Sequence, residues 1–205
     1  SRGERLNSSE SCCARCRLEP PTDLVVLLKV ERSGIVELRS EGVDCDLDAS
    51  GMPLVWLENV RPEESVTWLA GLLRSSPARG GGFVDRAVTA LALHASPAAT
   101  PVLVDVARNG TTPQVKGRAL YWVAQRAADQ AVPVIDTATD TDPDTEVKKQ
   151  AVFALSRMPK DEGIPRLIEV ARTNRNVEVR RQAFFWLGQS KDPRAVEFFA
   201  SILVK

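Results

Sequence analysis

The run Val179-Arg180-Arg181-Gln182-Ala183 has counterparts at Val147-Lys148-Lys149-Gln150-Ala151 and Val115-Lys116-Gly117-Arg118-Ala119, displaced by 32 residues each time. One further step back gives a weaker copy in register, Phe83-Val84-Asp85-Arg86-Ala87. The same step links Pro101, Pro133 and Pro165, which open the apolar segments "PVLVDVAR", "PVIDTA" and "PRLIEVAR". Two elements therefore recur in each period. Both are read as helices, because Val147, Ala151 and Leu155, like Val179, Ala183 and Leu187, return at helical spacing. Thr112-Pro113, Asp142-Pro143 and Asp192-Pro193 each set a capping oxygen before a proline suited to a first turn, which marks helix starts. A single helix pair of this size cannot bury its apolar face, so the copies must stack. The expected fold is mainly α, a right-handed α-solenoid over residues 61–205.

The first third of the chain follows a different pattern. "DLVVLLKVE", "GIVELRS" and "VDCDLDA" are short β-rich runs separated by Ser33-Gly34 and Glu41-Gly42, which predicts a small antiparallel meander over residues 21–60. Its expected role is to cap the terminal apolar face of the solenoid. Residues 1–20 are read as a cysteine-containing arm. "RPEESVTWLAGLLRSS" is the first predicted helix, with Pro62 and two glutamates at its positive end.

The V-[KR]-x-[RQ]-A pattern followed by a proline-led "LIEVAR" helix resembles the short HEAT-like repeat of the phycobilisome-lyase type, over about residues 81–205. The segment "CDLDASGMPLVWLENV" resembles uncharacterised bacterial HEAT-repeat proteins of the cell envelope. The repeat resemblance implies that the helices beginning V-[KR] line an inner, concave surface. It also implies one possible activity, a bilin or tetrapyrrole lyase or chaperone presenting its pigment to a partner cysteine. Folds of this kind serve many unrelated roles, so function is argued from the residues themselves.

Lys+Arg and Asp+Glu number 27 each, so no global field attracts nucleic acid, and no nucleic-acid partner is expected. The longest apolar run, "LVVLLKV" at 24–30, is far too short for a membrane span. "SRGERLNSSE" has no apolar stretch of the kind a signal peptide needs, and is read as a processed start.

Cys12, Cys13, Cys16 and Cys45 all sit in the first quarter. An even count in the segment least able to build a core fits disulfides tying the arm to the β unit, for example one of the first three to Cys45, and hence a periplasmic or secreted protein. Zinc held by four thiolates, or free thiols, are the alternatives. Only Cys13 and Cys16 form a C-x-x-C knuckle, and no flanking pattern makes that pair a thioredoxin-like motif. The run "DTATDTDPDTE" offers Asp136, Asp140, Asp142, Asp144 and Glu146. It lacks the glycine and the final glutamate of a calcium loop, so its carboxylates are read as caps for the next helix. "RGGGF" at 79–83 lacks the strand and lysine of a phosphate loop and is read as a turn. His94, without a nucleophile beside it, is read as a helix-end residue rather than a base.

Tyr121, Phe153 and Phe185 share one slot of the repeat, which Thr89 fills in the weaker copy. Arg118, Gln150 and Gln182 precede them by three residues on the same helical face, flanked by Gly117, Lys149 and Arg181. The valine, alanine and leucine positions satisfy the core, so the aromatic slot is free to face outward. Phe184 and Trp186 are read as core. Lys116, Lys148 and Arg180, one per repeat, are candidates for a ladder of ion pairs with the acidic loops. In "RAVEFFASILVK", Phe198 stands where the preceding repeat has Arg166, and with Phe199, Ile202 and Leu203 it suggests a homodimer through the C-terminal helix.

Nothing in the solenoid combines nucleophile, base and orienting residue, and no metal or cofactor is called for. The function expected from the residues is a non-catalytic scaffold. A peptide or protein partner would lie in the groove against Arg118, Tyr121, Lys149, Gln150, Phe153, Arg181, Gln182 and Phe185. For the cysteines, alkylation of the unreduced protein followed by mass spectrometry is expected to label no thiol until a reductant is added. Four labelled thiols with bound zinc would refute the disulfide reading.

Overall fold

The computed structural model describes residues 7–8, 24–43, 47–49, 51–74 and 81–203. The four cysteines lie outside them. The chain divides into two units, Ser1–Arg61 and Pro62–Lys205.

In the first unit β2 (Leu24–Glu31) pairs antiparallel with β3 (Gly34–Gly42), placing Leu28 opposite Leu38. Arg32-Ser33 turns the chain into Gly34, whose φ of 109° is open to glycine and strained for other residues. Lys29 faces Glu37 and Val30 faces Ile35, so Val36 is the extra residue of a bulge. The third predicted run does not extend this hairpin into a meander. Gly42 pairs with Leu24 instead of turning the chain, and β4 (Leu47–Asp48) bridges to β1 (Asn7–Ser8) in a separate two-stranded sheet.

The second unit is helical: α1 (Pro62–Arg74), α2 (Gly81–Leu93), α3 (Ala99–Asn109), α4 (Pro113–Arg126), α5 (Ala128–Thr141), α6 (Thr145–Arg157), α7 (Lys160–Thr173), α8 (Val177–Ser190) and α9 (Pro193–Leu203). Consecutive helices pair as α1/α2, α3/α4, α5/α6 and α7/α8. Along the stack, α4 packs closely on α2 and α6, and α6 on α8, whereas α3 touches α5 and α7 touches α9 only slightly. The even-numbered row is therefore the tighter, inner one. The core comes from the repeat positions: Val115, Ala119 and Val123, then Val147, Ala151 and Leu155, then Val179, Ala183 and Leu187, all at most 2% exposed. Burying each leucine or valine contributes about 1.5–3 kcal/mol.

The helix starts differ from the sequence reading in an instructive way. Thr112 caps α4 as expected, its side chain accepting from the Val115 N–H, with Pro113 at the first position. The cap of α6 is Asp144, not Asp142, and that of α8 is Asn176. Thr112, Asp144 and Asn176 are 32 residues apart, so in the inner row the cap follows the repeat rather than the proline, whereas Asp192-Pro193 opens α9 as expected, with Asp192 accepting from the Arg194 N–H. Asp142 instead accepts from the Asp144 N–H and from Lys116 Nζ. Asn174 does the former one repeat on, and its amide also donates to the Thr139 carbonyl, tying loop to neighbouring helix. Pro101, Pro133 and Pro165 lie inside α3, α5 and α7 rather than at their starts. At Pro133 and Pro165 each removes one ladder bond, to the carbonyls of the exposed residues Asp129 and Asp161, where water can substitute. Gly81 and Gly82, expected in a turn, begin α2.

Two close approaches set the spacing. A Cβ on Gly117 would lie 2.7 Å from the Gln150 side chain, which is why this slot is glycine where α6 and α8 carry Lys149 and Arg181. A Cβ on Gly163 would lie 2.3 Å from the Leu155 carbonyl oxygen. Its slot is small throughout, as Ala99, Ala131 and Ala195 show, all at most 2% exposed.

Gly163→Ala should therefore destabilise by roughly 1–3 kcal/mol despite alanine's helix propensity, because backbone must move. Gly188→Ala, with open space at its Cβ, should stabilise by about 0.4–1 kcal/mol. Urea unfolding of the two variants checks both signs. The Asp192 carboxyl is held down to about 2, chiefly by the Arg194 guanidinium that hydrogen-bonds it. Its contribution to stability is complete above the ordinary value of 3.8 and disappears as pH falls through about 2. An acid titration of Asp192→Asn should lack this component.

Candidate functional site

Every inner-row helix turns one stripe of residues away from the core. On α4 it is Gln114, Arg118, Tyr121 and Gln125; on α6 Glu146, Gln150, Phe153 and Arg157; on α8 Glu178, Gln182, Phe185 and Gln189. Spacings of three and four residues keep each set on one helical face, and the period brings the sets side by side.

The aromatic slot is partly buried at Tyr121 and Phe153 and 52% exposed at Phe185. Tyr121 and Phe153 stack, with centroids 5.8 Å apart and planes within 8°. The ladder then changes partner. Phe153 meets Trp186 at 5.1 Å, and Phe185 stands edge-on to Trp186 at 4.9 Å, further out. Trp122 lies edge-on to Tyr121 at 5.3 Å. Trp186, expected in the core, is a partly buried member of this cluster. The indole nitrogens of Trp122 and Trp186 are buried without a hydrogen-bond partner. Phe184, also expected in the core, is partly buried and stacks on Phe198 at 5.6 Å and Phe199 at 6.1 Å. Phe198 itself is 3% exposed beneath Arg172, so it adds nothing to an outer surface. On α9 the exposed apolar side chains are Val196, Ile202 and Leu203.

The charged candidates are held in place by neighbours. Arg118 makes two hydrogen bonds to Asp85 of α2, at 3.1 and 2.9 Å, and these bonds first of all raise its pKa. Lys149 pairs with Glu146 at 2.8 Å and Arg181 with Glu178 at 3.1 Å, each within its own helix. Exposed pairs of this kind add at most about 1 kcal/mol each, so they orient side chains more than they stabilise. The expected ladder of loop ion pairs forms only at Lys116, 2.8 Å from Asp142. Lys148 donates to the Asp140 carbonyl and Arg180 to the Asn174 carbonyl instead, because their repeats put backbone rather than carboxylate within reach.

Sequence reasoning passed over Arg157. Its guanidinium lies 5.0 Å from the Phe153 centroid and 5.9 Å from that of Trp186. The available signal was the break in its slot, since the neighbouring repeats carry the neutral Gln125 and Gln189. The acidic run does the capping and pairing work expected of it: Asp144 caps α6, Asp142 holds Lys116, Glu146 holds Lys149 and Asp136 lies 3.5 Å from Arg166. Among the described residues no group of three or more His, Cys, Asp or Glu could hold a metal. His94 closes a helix end, its Nδ1 accepting from the Ser96 N–H. Burial lowers its pKa, and Arg126 lowers it further. Among the described residues no helix is long and apolar enough to cross a membrane.

No curated protein matches the sequence. A family model for HEAT repeats matches residues 100–176 and again 131–205, more than half of the chain between them, in the stretch where the inner row and its stripe are built. With helix pairs stacked in a solenoid and more than half its length matched, the chain belongs to the HEAT-repeat proteins.

Proposed function

We propose that the open stripe of the inner row is the binding surface of a non-catalytic scaffold, and that its partner is an extended or helical peptide of another protein. HEAT repeats form helical scaffolds for protein interaction, which sets the class. The observation that carries the finer reading is that Phe185 is 52% exposed although the core of its repeat is already filled by Val179, Ala183 and Leu187, each at most 1% exposed. An aromatic that packing does not require, beside the Tyr121, Phe153 and Trp186 cluster and five glutamines, is the composition of a contact surface. Tyr121 and Phe153 would form the floor of the groove, Phe185 a projecting anchor, and Arg118, Lys149, Gln150, Arg181 and Gln182 its polar edges. The finer resemblance, to repeats of the phycobilisome-lyase type, suggests a bilin as an alternative occupant of the same stripe.

Two substitutions separate binding from packing. Phe185→Ala should change stability by less than about 1 kcal/mol, as a half-exposed side chain does, yet weaken a partner captured by the wild-type chain roughly tenfold or more. Phe153→Ala, which removes contacts to Tyr121, Trp186 and Arg157, should cost roughly 2 kcal/mol of stability. Urea unfolding and calorimetric titration of the captured partner give the two readouts. If Phe185→Ala binds as wild type does, the stripe is not the site. A bilin mixed with the chain should keep its free absorbance spectrum; a shift that disappears in a Phe153→Ala, Phe185→Ala double variant would favour the pigment reading.

A further inference from the structure

The stripe ends, between α6 and α8, in a cleft of about 230 Å³. Its apolar lining includes Met158 at the end of α6, Ile164 and Leu167 from α7, and Trp186 of α8. Arg157 and Lys160 supply its charge, and no carboxylate lines it. This is unlike the rest of the face, where Arg118, Lys149 and Arg181 are each matched by Asp85, Glu146 and Glu178. Neither Arg157 nor Lys160 has an ion-pair partner among the described residues. The nearby acidic residues are engaged elsewhere or stand outside the cleft: Asp161 is 97% exposed and 3.5 Å from Arg194, Glu162 is absent from the lining, and Asp192, close enough for Lys160 to help hold its carboxyl down, is hydrogen-bonded first of all to Arg194.

Size and chemistry narrow the occupant. Sites for whole small molecules run to roughly 300–1,000 Å³, so this one suits a single side chain. Arg157 lies over the Phe153 ring and near that of Trp186, contacts that use none of its N–H groups, so these are left to meet a carboxylate. We propose that the cleft seats one large apolar side chain of the partner peptide while Arg157 and Lys160 grip carboxylates next to it, so that the partner is an acidic, amphipathic segment. This rests on reading the stripe as a protein-binding surface, and adds to it the partner's chemistry and the anchor point.

The test selects peptides from a phage-displayed random library on the immobilised full chain, and measures the enriched sequences as fluorescein conjugates by anisotropy. Enrichment of leucine, phenylalanine or tryptophan beside aspartate or glutamate is expected, with affinity falling as salt rises. Arg157→Ala and Lys160→Ala, both at exposed positions, should each weaken these peptides by about tenfold; circular dichroism melting should stay at the wild-type temperature for Lys160→Ala and fall only slightly for Arg157→Ala, which also loses its contacts to Phe153 and Trp186. Peptides of neutral or basic composition would overturn the inference, as would acidic ones indifferent to both variants. If such peptides still lose affinity on Phe185→Ala or Tyr121→Ala, the stripe remains the binding surface and only the acidic anchor is wrong. If no peptide is enriched at all, both readings fall.

Discussion

A helix of 11–14 residues is too short to persist alone, and a hairpin of two covers only part of the apolar face it carries. Contact between successive hairpins is therefore the interaction from which the rest of this unit follows. It is made chiefly along the inner row, where Val115, Val147 and Val179 and the alanines four residues on are all at most 2% exposed. The repeat length is fixed by that contact, because an inserted residue would rotate an entire helix off the shared face. Gly117 and Gly163 show how narrow the tolerance is: at each, neighbouring atoms occupy the space a single added carbon would need.

This explains which parts of the fold were legible in the sequence. Valine, alanine and leucine at helical spacing gave the inner helices and their core, because those positions answer to one requirement repeated every 32 residues. Prolines and lone carboxylates were poorer guides. Pro133 and Pro165 sit within their helices at the loss of one bond each, and Asp142 serves Lys116 while Asp144 caps. Reading the cap in the repeat register, Thr112, Asp144, Asn176, would have placed it correctly, since capping depends on where the packed face begins. The β unit was harder. A glycine that follows a strand-like run signals a turn as readily as a pairing residue, and Gly42 is the latter.

The candidate site was legible in its outline and missed in its detail for the same physical reason. Tyr121, Phe153 and Phe185 occupy one sequence slot, and identical slots were expected to form one ladder. Side chains, however, settle against whatever neighbour is largest. Trp186 stands where the repeat before it has the small Ala154, and it takes the place beside Phe153, leaving Phe185 to solvent. Where α8 meets α9, phenylalanine replaces aliphatic residues twice. Phe184 follows Leu120 and Val152 in its slot, and Phe199 follows Leu103, Ile135 and Leu167; with Phe198 they form a stacked group.

Positions that packing dictates can carry little information about a partner, because their variation is confined to what the stack accepts. The outward stripe has no such restriction, and differences between repeats there must answer to something else. Gln125, Arg157 and Gln189 share a slot whose backbone setting is the same in each repeat, yet one of them is a cation with no carboxylate beside it. A charge held against two aromatic faces loses part of its hydration, and an acidic ligand arriving there meets a donor that is already oriented. The departure from repetition is thus the most specific chemical statement the surface makes, and it is made next to a cleft of a size to hold one side chain.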